Sequence, residues 1–129
     1  MGTVHSLKEN YGVRYVGTDI GFNVLMRHVL YGSYHEIAVL GTGSGAGVCG
    51  EVTVVGNICE SGDILANDRN IGAVRLGDLI AVSNAGAYGY SMSSNYNCRL
   101  RPAEVLVKSD GNVVKIRSAD TLESLTANF

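Results

Sequence analysis

The residues with most chemical content lie in two glycine-rich tracts. Val55-Gly56-Asn57-Ile58-Cys59-Glu60-Ser61-Gly62-Asp63 sets a thiol beside a carboxylate and a hydroxyl, and Asn84-Ala85-Gly86-Ala87-Tyr88-Gly89 holds a phenol. Polar groups in turns at the ends of short apolar strands are the usual way a rigid β scaffold presents an active site. The small neighbours of Tyr88 leave its ring open to a flat ligand. Arg27 and Tyr31 are four apart, so on a helix they share a face. Together they could clamp a carboxylate, the guanidinium by its fork and the phenol by one hydrogen bond. On spacing alone each has a plainer reading. Cys59 is then a small buried apolar residue, Glu60 a solvated carboxylate, Arg27 a surface arginine beside a half-buried Tyr31, and Tyr88 a core tyrosine.

Other chemistries find no support. Ser61, Ser91, Ser93 and Ser94 stand at no motif spacing from a histidine, so no hydrolytic triad can be argued. His35, at the start of a strand, reads as structural, and His5 and His28 as exposed. Gly45-Ala46-Gly47-Val48-Cys49-Gly50 matches the letters of a dinucleotide fingerprint, but Glu51-Val52-Thr53-Val54-Val55 after it reads as a strand where the mechanism needs a helix N-terminus. Cys49, Cys59 and Cys98 are odd in number and lack metal-ligand spacing, which fits free thiols in a cytoplasmic protein and no bound metal.

The elements that must position these groups are mostly strands. The chain has 129 residues, 46% of them hydrophobic, enough for one domain with a buried core. No apolar run approaches the length needed to cross a bilayer, no signal peptide is visible at the N-terminus, and neither points to a membrane partner. The formal charge of -2, with acids and bases interspersed, argues against nucleic acid. Short β-prone runs at 13–17, 36–40, 51–55, 78–82, 103–107 and 112–116 are bounded by turn residues. Ser109-Asp110-Gly111-Asn112 is a hairpin signal and Arg75-Leu76-Gly77-Asp78 a turn into a buried strand. Short helices are expected within 21–33, with Val24, Leu25 and Leu30 apolar, and within 119–127, with Leu122 and Leu125 inward. The pattern predicts a mainly β domain over residues 1–129, a Greek-key-like barrel or sandwich, closed or nearly so, with one or two short helices.

Taken together, several segments resemble the C-terminal region of the diaminopimelate decarboxylases, pyridoxal-phosphate enzymes of the alanine-racemase-like fold. They are Phe22-Asn23-Val24-Leu25-Met26-Arg27, Leu30-Tyr31, Tyr34-His35-Glu36-Ile37, Val55-Gly56, Cys59-Glu60-Ser61-Gly62-Asp63, Ala85-Gly86-Ala87-Tyr88-Gly89, Met92-Ser93-Ser94-Asn95-Tyr96-Asn97 and Arg101-Pro102-Ala103-Glu104-Val105. They follow the family's order and cover nearly the whole chain.

The resemblance implies a β-domain that works with an α/β barrel in a head-to-tail homodimer, in lysine biosynthesis. The barrel carries the lysine and glycine-rich loop that hold pyridoxal 5'-phosphate. By the same resemblance, Cys59 delivers a proton to the decarboxylated carbon across the dimer interface, and Glu60 faces the distal amino group of the substrate. Arg27 and Tyr31 hold its distal carboxylate, and Tyr88 stands beside the cofactor. A thiol suits the first role because, with an ordinary pKa near ~8.5, it is mostly protonated at neutral pH.

The chain departs from the family pattern in places. His28 and Asn57 stand where proline is usual, and Cys98 and Leu100 replace serine and proline. These changes leave the substrate open: a related decarboxylase of secondary metabolism, acting on another amino acid, is one alternative, and a non-catalytic binding module that kept the fold is another. None of Lys8, Lys108 and Lys115 lies in a cofactor-anchoring context, so the barrel is absent from these residues. The chain alone is expected to hold the cofactor weakly and to decarboxylate nothing.

Overall fold

A computed structural model describes all residues, Met1–Phe129, which fall into two compact units, 1–93 and 94–129. The first holds β1 (Gly2–Asn10), β2 (Val13–Thr18), α1 (Arg27–Tyr31), β3 (Ile37–Val39), β4 (Glu51–Val55), β5 (Ile64–Asn70) and β6 (Leu79–Val82). Its strands form one sheet in the order β3-β6-β1-β2-β4-β5. The second holds a 3-10 turn (Tyr96–Cys98), the hairpin β7 (Glu104–Val107) and β8 (Val113–Arg117), and α2 (Leu122–Thr126).

The fold is mainly β, as its sequence indicates, and every expected strand forms. Two further strands, β1 and β5, also form. The stretches Lys8-Glu9-Asn10 and Asn67-Asp68-Arg69-Asn70 look like loop by composition; pairing to neighbours overrides that weak propensity. The sheet does not close into a barrel, since β3 and β5 end it as edges. β1 is its hinge: Gly2 and Thr3 pair with β6, and the rest of the strand pairs with β2, past an irregularity between Val4 and Ser6. A two-residue turn, Tyr11-Gly12, joins β1 to β2 with both φ angles positive, the form that matches strand twist.

β4 lies between β2 and β5, which explains its unbroken run of buried Val52, Thr53 and Val54. Val4, Val16, Ile37, Val52, Val54, Leu65, Ala66, Val74 and Ile80 make one core. Ile80→Ala removes a side chain with no exposed surface and should destabilise the chain by about 3 kcal/mol in denaturant unfolding. A loss under about 1 kcal/mol would mean that the core collapses around the gap.

The helices are shorter than the sequence predicts. Within 21–33 only Arg27–Tyr31 is α-helical, preceded by a turn in which Val24 and Leu25 bond back to the Gly21 carbonyl. Leu25 is buried, but Leu30 is 54% exposed. In α2, Leu122 is 65% exposed and not inward, because the helix is a single capped turn with no buried residue. His35 is buried two residues before β3, with Nδ1 against the Ser83 carbonyl at 3.0 Å.

Buried Asp78 fastens the turn into β6. Its Oδ1 accepts the Gly43 N–H at 2.6 Å and its Oδ2 the Arg75 N–H at 2.7 Å. The Gly43 bond and then the Arg75 bond hold its carboxyl below the usual carboxylate range. In the second unit, Arg101 first and Asn95 next do the same for Asp120. A carboxyl with a depressed folded pKa stabilises above its unfolded pKa and loses that contribution as pH falls through the folded value. The melting temperature should therefore hold down to about pH 4 and drop below it. A flat profile to pH 2 by circular dichroism would contradict this.

Candidate functional site

The sequence between Asp19 and Tyr31 builds one wall of a cleft. After the Gly21 turn, α1 makes barely more than a helical turn and stops at Gly32, whose φ of 62° is left-handed. The Gly32 N–H returns to the His28 carbonyl at 2.8 Å, which ends the helix in the αL manner. His28 also joins α1 to its surroundings. Its Nδ1 lies 3.1 Å from the Ser33 carbonyl, and its Nε2 lies 3.2 Å from Asn67 Nδ2 on β5. The histidine that replaces the usual proline thus ties α1 to the sheet. Asn57, also in place of a proline, donates from Nδ2 to the Asp19 carbonyl at 2.9 Å.

The opposite wall is the turn after β6. Asn84 and Tyr88 both take left-handed backbone, with φ of 56° and 62°. Such residues are uncommon and cost about 1–2 kcal/mol each, and they gather where a side chain must be aimed. The Met92 N–H closes this turn on the Tyr88 carbonyl at 3.1 Å.

Arg27, Tyr31, Tyr88 and Met92 line the resulting cleft, of about 400 Å³. Arg27 Cζ stands 5.8 Å from the centre of the Tyr88 ring, within cation–π range. Arg27 Nε is buried and has no hydrogen-bond partner. The chain's ion pairs, Arg101–Asp120 and Arg117–Glu104, do not involve it. A buried guanidinium edge without an acceptor is costly, and a cleft is where an anionic ligand can relieve that cost. The two tyrosine rings, 66% and 63% exposed, give it flat apolar sides.

Arg27, Tyr31 and Tyr88 therefore converge, and the readings of Tyr31 as half-buried and Tyr88 as a core residue fall away. Cys59 and Glu60 are exposed in the loop between β4 and β5, and neither lines the cleft. Glu60 Oε1 accepts the Ser61 hydroxyl at 3.3 Å and the Gly62 N–H at 3.2 Å. Cys49 and Cys98 are exposed free thiols as well. Met92 is a lining residue that chemistry-first reading of the sequence passes over. Its signal is the spacing of four from Tyr88 within a turn. No group of three or more His, Cys, Asp or Glu is placed to hold a metal, and no helix is long and apolar enough to cross a membrane.

Comparison with known proteins gives this geometry a family. Residues 1–86 match the family described as "Pyridoxal-dependent decarboxylase, C-terminal sheet domain". The chain is 46% identical over 122 residues to a diaminopimelate decarboxylase of Methanothermobacter thermautotrophicus, covering 95% of this chain and 28% of that protein. It is 54% identical over 107 residues to one of Archaeoglobus fulgidus, covering 83% of this chain and 25% of that protein. A crystal structure of diaminopimelate decarboxylase from Methanocaldococcus jannaschii superposes with a TM-score of 0.86 at 38% identity, over 98% of this chain and 28% of that one. The chain thus spans less than a third of the length of these relatives. Both the match over 1–86 and the superposed sheet place this chain in one family: it belongs to the C-terminal sheet domains of the pyridoxal-dependent decarboxylases.

Proposed function

We propose that this chain supplies the C-terminal part of the active site of a diaminopimelate decarboxylase, which converts meso-diaminopimelate to L-lysine in the cytoplasm. The observation that carries this reading is the buried Arg27 Nε, without a hydrogen-bond partner, in a cleft walled by Tyr31 and Tyr88. The names of the relatives supply the substrate class. Arg27 and Tyr31 take the distal carboxylate, the one group that separates a diamino diacid from a diamino monoacid such as lysine. Glu60 takes the ammonium beside that carboxylate.

Pyridoxal 5'-phosphate, when bound, supplies the electron sink that decarboxylation requires. The exposed ring of Tyr88 fits the edge of such a flat group. No lysine lines the cleft, so the covalent anchor belongs to the α/β barrel, outside these 129 residues. The chain's own step is a proton transfer. The carbon that loses carbon dioxide takes the proton of the Cys59 thiol, and the thiolate regains one from solvent. The exposed position of Cys59 and Glu60, away from the cleft, supports a homodimer in which this loop serves the second copy's site. In this reading residues 1–129 act as one functional part.

The test uses the chain with and without a separately expressed barrel. Incubated with the cofactor alone and dialysed, it should keep no stoichiometric visible absorption band and release no carbon dioxide. With the barrel fragment, diaminopimelate should yield carbon dioxide and lysine. A retained band overturns the division of labour. A folded, cofactor-loaded pair that releases nothing overturns the decarboxylase reading.

A further inference from the structure

We infer that Asp63 is a positioning residue that joins the Cys59–Glu60 loop to the segment carrying Arg27, so that the two move as one body. The inference rests on the proposed reading, in which Arg27 serves the chain's own substrate site and the Cys59–Glu60 loop that of the second copy. Asp63 is 4% exposed. Its Oδ1 accepts the Phe22 N–H at 2.6 Å, and its Oδ2 accepts the Ile58 N–H at 2.7 Å. One bond reaches the turn that leads into α1 and Arg27; the other reaches the backbone immediately before Cys59.

The backbone is shaped around this junction. A Cβ on Gly21 would lie 2.7 Å from Asp63 Oδ2 and 2.8 Å from Ile58 Cγ1, too close to be accommodated. A Cβ on Gly56 would collide with the Asp63 carboxylate and with Gly21 Cα. Both positions require glycine because two strands of backbone and one carboxylate meet at a point. The loop is also closed on itself: the Gly56 N–H bonds the Asp63 carbonyl at 3.0 Å, and the Asp63 N–H bonds the Glu60 carbonyl at 3.0 Å. Asp63 thus anchors both the base of the loop and, through the other oxygen, the clamp segment across from it. Charged acceptors make the stronger class of hydrogen bond, and both of these are short.

A single carboxylate shared in this way makes the two segments open together. In native-state hydrogen exchange of the unaltered chain, the Phe22 and Ile58 amides should report the same opening. Asp63→Asn can keep one acceptor but turns an N–H₂ toward the other amide. It should speed exchange of both amides by about tenfold, the restraint of one charged hydrogen bond. The Gly43 and Arg75 amides, held by Asp78, serve as internal controls and should exchange at their original rates in the variant. A purely structural loss of stability would speed all four amides together.

Asp78→Asn, which breaks an equally buried carboxylate brace elsewhere, should do the reverse, speeding Gly43 and Arg75 and leaving Phe22 and Ile58 unchanged. Unequal openings for Phe22 and Ile58 in the unaltered chain overturn the inference, even if Asp63→Asn fails to fold. Unchanged exchange of Phe22 and Ile58, or equal acceleration of all four amides, in a folded variant overturns it too. These readouts do not involve catalysis, so they stand apart from any failure of the decarboxylase reading.

Discussion

Cys59→Ala in the complete polypeptide should lower kcat by about 10²–10⁴-fold, the usual worth of a positioned acid, while KM for diaminopimelate changes little. In the proposed mechanism the thiol meets the carbon only after carbon dioxide has left, so its removal affects the turnover step rather than binding. Because Cys59 lies outside the cleft of its own chain, the loss should be curable in trans. Mixing the variant with a copy inactivated at its barrel lysine should restore part of the activity, since one site of the mixed dimer keeps both groups. An unchanged kcat would remove Cys59 from the mechanism. Failure of the mixed dimers to recover would place its action within one subunit.

Arg27→Ala should act differently. In the proposed mechanism the guanidinium meets the distal carboxylate in ground and transition states alike, so kcat/KM for diaminopimelate should fall by about 10²-fold, mostly through KM. Arg27→Lys should recover little of this, because an ammonium cannot reproduce a planar fork. Stability should stay within about 0.5 kcal/mol, since Arg27 Nε has no partner to lose and α1 contains no buried residue. A lysine variant with full activity would show that charge alone suffices and would weaken the clamp reading.

The strands with dense β-branched runs are legible in the sequence, Glu51–Val55 to the residue, because there propensity and burial agree. Gly2–Asn10 and Ile64–Asn70 are not, because their polar halves gain strand conformation only from the neighbours they pair with. The inward assignment of Leu122 fails for a related reason. Helical periodicity predicts a face but not what covers it, and a one-turn helix has little face to bury. At the site, the spacing of Arg27 and Tyr31 predicts their shared face. Their meeting with Tyr88 does not follow from spacing, because it depends on the left-handed turn at 84–88 and on long-range strand pairing. Asp63 stands in the tract read first, yet its role depends on contacts 41 and 5 residues away, which no local pattern encodes.

The sheet also fixes when the cleft can come into being. β2 and β4 run parallel, with Tyr15 opposite Thr53 and Val16 opposite Val54, so everything between them is a crossover connection. That crossover contains α1, too short to persist in water by itself. Arg27 can thus reach the cleft only after the chain has paid the entropy of a distant closure, and the last event of refolding should be the assembly of that cleft rather than of the hydrocarbon interior.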